Sequence, residues 1–209
     1  MGNPTVKAKR EKKVEKAGRK IPPLKRKVKK GRKYIKMIIK ICGEQDIVAV
    51  GAFYDDVVKH LCEHVNYPKW EYKIYPCEGS VRTKTKEGCQ FMCIEDDKII
   101  GAFVLNDDPA GAYENVAWSK QLEQGEYMVC HTLAIAPTLQ GKGIGRRIVE
   151  YCIDYAKKHG FKAIRLDVVP DNIPAKKLYE KCGFQYVGDV DLERDIPEIP
   201  LFSMYELNF

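Results

Sequence analysis

The chain has 209 residues, 44% of them hydrophobic and 31% charged, and a formal net charge of +7. That length suits one domain with room for an appendage, and the composition is that of an ordinary soluble protein. No apolar run approaches the ~20 residues of a membrane-spanning helix, and no N-terminal stretch reads as a secretory leader, so a cytoplasmic protein without a membrane span is expected.

The charge is unevenly spread. Residues 1–33 carry fifteen Lys/Arg and two Glu, a net +13, which leaves the remainder at −6. This arm has no aromatic residue, and Pro22-Pro23 interrupts any helix. It cannot bury enough apolar surface to offset the entropy of ordering, so residues 1–33 are expected to be a basic, disordered arm ahead of a domain over 34–209. Its charge suits contact with nucleic acid or a ribosome, or a solvated tail with no specific partner.

From Tyr34 the pattern changes. "YIKMIIKIC" predicts a strand. "EQDIVAVGAFYDDVVKHLCEHV" sets Ile47, Val50, Phe53, Val57, Val58 and Leu61 on one helical face. Residues 67–88 predict a short helix with loops. "CQFMCIEDDKIIGAFVLN" reads as a hairpin turning at Asp96-Asp97-Lys98. A polar loop covers 107–126, then "EYMVCHTLAIAP" predicts a strand stopped by Pro137. Ile144, Ile148, Tyr151, Cys152 and Tyr155 follow the helical period up to Gly160. "KAIRLDVV" predicts a strand. "DNIPAKKLYEKCG" predicts a helix capped at Asp171 or Asn172, with Pro174 in its first turn. "FQYVGDV" and "LFSMYELNF" finish as strands. The order implies a mixed α/β domain with helices covering a central sheet.

Eight cysteines are present, with no C-x-x-C pair and no zinc-like spacing, so they read as reduced, packed side chains and no metal is expected. The chemistry points instead to "LQGKGIGRRIVEYC", residues 139–152. A P-loop would need Lys-Ser/Thr after its last glycine, and "GKGIGRR" has none. A dinucleotide fingerprint counted from Gly141 would need glycine where Arg146 stands. What remains is Gln140-x-x-Gly143-x-Gly145 opening an amphipathic helix. The unpaired first-turn N–H groups, the helix dipole and Lys142, Arg146 and Arg147 suit a pyrophosphate; a close-packed turn is the plainer alternative.

With "HTLAIAP" before this loop and "RLDVVPDNIPAKKLYEKCGF" after it, residues 35–209 resemble the GNAT superfamily of acyl-CoA-dependent N-acetyltransferases. The resemblance implies a mixed, mostly antiparallel sheet of six to seven strands flanked by about four helices. It implies acetyl-CoA as co-substrate, in a cleft where the "HTLAIAP" strand splays from "KAIRLDVV". Leu133, Ala134 and Ile135 would hold the pantetheine, and an N–H near Leu133 the thioester oxygen. Gln140, Gly141, Lys142, Gly143, Ile144, Gly145 and Arg146 would seat the pyrophosphate. Tyr179 would be the general acid, on the expectation that a phenol (pKa ~10) hands its proton readily to a departing thiolate (~8.5). Asn172 would touch the cofactor or cap its helix.

The base is less determined by the residues. Strand alternation sets His131 on the face of Leu133, which makes it a candidate, with Glu126 the alternative. Trp118 and Glu126 are further candidates to receive the amine acceptor, and Tyr54 is read as packing. The expected activity is transfer of an acetyl group to a primary amine of a small molecule, peptide or protein by direct attack. The alternatives are a non-catalytic acyl-CoA sensor or scaffold, and a ribosome- or nucleic-acid-associated acetyltransferase guided by the arm. The last strands offer an edge for a homodimer.

Overall fold

A computed structural model of the chain describes residues 37–209. The expectations for the basic arm and for the start of the first strand lie outside these residues. The elements are β1 (Ile38–Ile41), α1 (Ile47–Glu63), α2 (Glu78–Lys86), β2 (Gln90–Glu95), β3 (Lys98–Asn106), β4 (Tyr127–Ile135), α3 (Ile144–Lys158), β5 (Ala163–Val168), α4 (Ile173–Lys181), β6 (Gln185–Val190) and β7 (Phe202–Asn208). They follow the order that hydrophobic periodicity predicts.

The strands form one seven-stranded sheet in the order β1-β2-β3-β4-β5-β7-β6. Only β4 and β5 pair in parallel; the other neighbours are antiparallel. The hairpin between β2 and β3 turns through Asp96 (φ 46°) and Asp97 (φ 59°), the left-handed pair that a two-residue turn needs. One face packs on α3 and α4 through Phe91, Cys93, Phe103, Ile148, Cys152, Leu166 and Tyr179. The other packs on α1 through Val50, Tyr54, Val57, Met92, Ala102 and Ala134. The polar 107–126 loop is anchored on that second side by Tyr113, Val116 and Trp118, which join Val129, Leu192 and Met204.

Two irregularities in β4 make the cleft. Parallel pairing with β5 begins at Tyr127↔Ala163 and stops at Val129↔Arg165, so the strands separate from Cys130 onward. On its other edge β4 bulges: Val104 faces His131 and Ala102 faces Ala134, so Thr132 and Leu133 stand opposite Phe103 alone. Thr132 has φ 47°, a costly conformation for a β-branched residue. The bulge reverses side-chain parity. Cys130 and Leu133 lie on the α3/α4 face, whereas Ala134 lies on the α1 face. The alternation expected for His131 and Leu133 is therefore overturned, and the two point to opposite faces of the sheet.

Buried polar groups hold the bulge. The Tyr54 hydroxyl on α1 donates to the Thr132 carbonyl at 2.9 Å. Gln90 Nε2 donates to the carbonyls of Phe91 and Phe103 at 3.1 Å each. Tyr54, which reads from sequence as ordinary packing, is thus the clamp on the strained residue.

Removing that clamp is expected to cost about 1 kcal/mol, the net worth of one buried hydrogen bond, and to lower Tm by about 2–4 °C. Tyr54→Phe tests this by thermal unfolding. Calorimetry should also show weaker acetyl-CoA binding, because the bulge sets the cleft; unchanged Tm and affinity together would remove Tyr54 from this role.

Candidate active site

A cavity of about 1030 Å³ runs through the gap between β4 and β5. Its floor is β4 itself, Cys130 to Ile135. On the α3/α4 side it is lined by Gln140, Gly141, Gly143, Ile144, Gly145 and Arg146, and by Asn172, Ala175, Leu178 and Tyr179. On the α1 side it is lined by the end of α1, the 67–75 turn, Asp167, Arg194, Ile196 and Ile199. Most residues expected at the site are therefore brought together: His131, Leu133, Ala134, Ile135, the glycine loop except Lys142, Asn172 and Tyr179.

The three glycines differ in their reasons. Gly141 (φ 73°) and Gly143 (φ 82°) adopt the left-handed conformation, and a Cβ on either would meet nothing within 4 Å. There the backbone turn requires glycine, and the space above it stays open. Gly145 is a packing residue: its Cβ would come within 2.9 Å of Ile135 Cδ1 and 3.1 Å of Leu178 Cδ2. It lets α3 close on β4 and α4. Gly143 caps α3 without a side-chain bond, so no side chain occupies the helix N-terminus. Lys142 is exposed and does not line the cavity, while Arg146 lines it and pairs with Glu150 at 3.0 Å.

Tyr179 is buried against Phe184 in the α3/α4 core. Its hydroxyl has no hydrogen-bond partner among the described residues, and its side chain lines the cavity. Burial, with the nearby thiols of Cys130 and Cys152, pushes its pKa well above the ordinary phenol value, so it stays protonated. Asn172 caps α4, its Oδ1 accepting from Ala175 N at 3.2 Å, and also lines the cavity.

His131 sits on the α1 side. Its Nε2 lies 2.9 Å from the Asp108 carbonyl. A carbonyl only accepts, so Nε2 carries the proton and Nδ1 holds the lone pair. Burial lowers the His131 pKa, against a raising effect of Asp167, and keeps the ring neutral at neutral pH.

Sequence reading missed the group beside it. Arg194, between β6 and β7, donates twice to Asp167 of β5, from Nη1 to Oδ2 and from Nη2 to Oδ1, both at 2.8 Å. Tyr113 Oη donates to Asp167 Oδ1 at 2.7 Å. Arg194 also reaches the carbonyls of Ala110, at 2.5 Å, and Pro109, at 3.3 Å. Burial alone would raise the Asp167 pKa, but the guanidinium bonds outweigh it and hold the carboxylate ionised. No local signal joins Tyr113, Asp167 and Arg194, which lie 54 and 27 positions apart. The 67–75 turn, part of the segment 67–88 that predicts a short helix with loops, lines the cavity as well.

Two expected acceptor residues lie elsewhere. Trp118 is buried: its Nε1 donates to the Tyr113 carbonyl at 2.9 Å, and its ring lies 4.2 Å from the Arg165 guanidinium. Glu126 precedes β4 and is ion-paired with Lys162, whose hydrogen bond lowers its pKa. Neither lines the cavity. Aromatic and acidic residues in a long loop suggested an amine site; packing and a surface ion pair account for them instead. The eight cysteines are all free thiols, and no metal-holding cluster occurs among the described residues.

Comparison with known proteins agrees with this architecture. The model of the acetyltransferase (GNAT) family matches residues 54–184. The streptothricin acetyltransferase of Escherichia coli is 32% identical over 99 residues, covering 47% of this chain and 52% of that protein. The chain spans about half the length of the curated relatives it matches, 41% and 52% for two of them. A GNAT-family acetyltransferase structure from Streptococcus agalactiae superimposes with a TM-score of 0.68 at 18% identity, covering 84% of this chain and 98% of that one. The structure of yncA from Salmonella typhimurium with its cofactor acetyl-CoA gives a TM-score of 0.58 at 16% identity, covering 82% and 93%. The match to the family model extends from α1 through α4 and takes in the glycine loop, the split strands and Tyr179; the chain belongs to the GNAT acetyltransferase family.

Proposed function

We propose that the protein is an N-acetyltransferase that moves the acetyl group of acetyl-CoA to a primary amine by direct attack. The observation that carries this reading is a cavity crossing the sheet, with an unpartnered phenol on one side and a neutral imidazole on the other. An acyl-CoA sensor would need the cradle but neither of these groups.

The chain fits the co-substrate at three places. The open, left-handed turn at Gly141 and Gly143 leads into the uncapped N-terminus of α3, which suits a pyrophosphate. The edge of β4 past Val129 has lost its strand neighbour, so Leu133, Ala134 and Ile135 have backbone groups available to an extended pantetheine. Gln140, Ile144, Arg146 and Asn172 border the same side. When bound, acetyl-CoA supplies a thioester carbonyl that an amine can attack.

The residues then divide the work. The bulge re-aims the β4 backbone, and the Leu133 N–H is the donor assigned to the carbonyl oxygen as its negative charge grows. Tyr179 donates a hydrogen bond to the leaving sulfur. The readiness expected for that transfer needs correcting. A phenol at ~10 is a weaker acid than a thiol at ~8.5, so complete transfer in water is uphill by about 2 kcal/mol. Burial disfavours a thiolate as well as a phenolate and pushes Cys152, near Tyr179, well above its usual value, so a thiolate leaving there has more need of the hydrogen bond than one in water. His131 Nδ1 takes the amine proton. Arg194 acts through it as a positioning residue: it ties the 109–110 backbone, next to the carbonyl that fixes the tautomer, to Asp167.

Tyr179→Phe should keep acetyl-CoA affinity and lower kcat by about 100-fold or more, the usual worth of a positioned acid. Calorimetry and CoA-release assays separate the two; unchanged kcat would remove Tyr179 from the mechanism.

The acid limb of kcat/KM should lie below the ordinary histidine value of ~6.5, because burial lowers the His131 pKa. Asp167 and Asp108 raise that pKa and Arg194 lowers it. Arg194→Met would leave Asp167 uncompensated beside the ring, so the limb should move to higher pH. His131→Gln should lose the limb, and adding Arg194→Met to it should produce no further shift in the profile. Arg194→Lys, which keeps the charge, checks that the shift is electrostatic rather than a loss of folding.

A further inference from the structure

The charge balance on the α1 side of the cavity restricts the acceptor. Among the described residues, two carboxylates line this half, Asp167 and Glu71. Asp167 is spent: it accepts both Arg194 bonds and the Tyr113 hydroxyl. Glu71 is exposed at the rim, and Lys69 beside it is a lining cation. A polyamine or aminoglycoside would bring several ammonium groups besides the reacting one. Glu71 at the rim could pair with one of them; any further ammonium deeper in the cavity would enter without a carboxylate partner, and an unpaired buried cation is strongly unfavourable.

Six large apolar side chains stand among the polar lining residues of this half. Leu61 and Val65 at the end of α1, Trp70 and Ile74 in the 67–75 turn, and Ile196 and Ile199 before β7 all line the cavity. Val65 is 55% exposed, Ile74 65% and Ile196 38%, so large apolar side chains stand open to solvent at one mouth. Such a patch beside a reactive site is suited to an apolar ligand surface.

Acid–base matching narrows the amine. His131 has a pKa lowered from its ordinary value. Taking a proton from an alkylammonium at ~10.4 would be uphill by about 4 units or more; from an α-ammonium near 8 it is uphill by about 1.5 or more. An α-amine is also neutral in about one molecule in ten at pH 7, against about one in 2,500 for an alkylamine.

Resting on the acetyltransferase reading above, we infer that the acceptor is a single α-amino group next to an apolar side chain, presented by an amino-acid amide or a polypeptide N-terminus. The side chain lies against Leu61, Ile74 and Ile196, and the amine reaches the β4–β5 gap beside His131. The nitrogen gives up two protons: the first passes from the ammonium to His131 and on to solvent, and the second ends on sulfur, by way of Tyr179, as the amide C–N bond forms and the thioester C–S bond breaks; CoA leaves as the thiol.

The test uses the full chain with acetyl-CoA and compares leucinamide, glycinamide, the tripeptide Leu-Gly-Gly and spermidine. Acceptor affinity in the presence of desulfo-CoA is measured by calorimetry alongside kcat/KM. Leucinamide should exceed glycinamide by about 10-fold or more, as expected for burying a leucine side chain. It should exceed spermidine by about 100-fold or more, in keeping with the difference in neutral amine. Ile74→Asp, at an exposed position away from the catalytic groups, should cut leucinamide binding by about 10-fold and leave CoA affinity unchanged. Faster reaction of Leu-Gly-Gly than leucinamide assigns the acceptor to a chain end, and the reverse to a small amide; either order supports the inference. Spermidine matching leucinamide, or CoA binding with no turnover of either α-amine, overturns it. Failure to bind CoA at all would sink the acetyltransferase reading itself and is seen in a separate titration.

Discussion

The site depends on the loss of regular pairing along both edges of β4. Toward β5 the ladder ends at Val129, and toward β3 the strand carries an extra residue at Thr132 and Leu133. Regular pairing at both edges would leave no cavity, and His131 would share a face with Leu133. The two defects together open a passage through the sheet and put chemically different walls on its two sides. A left-handed Thr132 costs on the order of 1–3 kcal/mol, so it persists only where its surroundings determine it. The Tyr54 and Gln90 bonds provide that determination, from α1 and from β2. The strain at the reacting centre is thus compensated by buried polar groups in the core beneath it.

A second constraint acts on the α1 side. Asp167 extends from β5 close to where β4 departs, and Arg194 and Tyr113 converge on it from two separate connections. Removing one partner from such a buried group typically costs ~3–5 kcal/mol, because a charge is left unpaired. The network therefore fixes the 107–112 backbone and the 191–201 segment relative to the sheet. It also withdraws Asp167, the deeply placed carboxylate among the described lining residues, from ligand binding. The charges of Asp167 and Arg194 are thereby spent on each other, which leaves Lys69 and Glu71 at the rim as the charged groups of this wall among the described residues.

Much of the fold was legible because it rests on local periodicity. α1 and α3 each show an apolar stripe over four turns or more, and the β2–β3 hairpin carries its own turn residues. The glycine loop was legible as an anion cradle because backbone conformation and helix start are local properties too, although Gly145 proved to serve packing. The bulge was not legible. "HTLAIAP" has no glycine or proline at the irregular residue, and the register is set by a clamp 78 positions away. Alternation was therefore applied to His131 across a point where it fails. The 107–126 loop misled for a related reason. Trp118 and Glu126 have the chemistry of an amine site, but Trp118 is committed to Arg165 and Glu126 to Lys162, partners that only the assembled sheet supplies.

The same contrast bears on how a phenol can assist a better acid than itself. Tyr179, Cys130 and Cys152 share one desolvated region on the α3/α4 side, where anions of either kind are disfavoured. A leaving thiolate there is raised in pKa along with the phenol, so the difference between them matters more than either value. The Tyr179 hydroxyl has no hydrogen-bond partner among the described residues and lines the cavity on this side, so in the proposed reaction its hydrogen bond is free for that anion. His131, the proposed base, lies across the sheet, where its imidazole is neutral and hydrogen-bonded to a carbonyl. Separating the two groups by the plane of the sheet keeps them from neutralising each other. In the proposed reaction, the β4–β5 gap is then the junction at which an amine from one side meets an acyl group from the other.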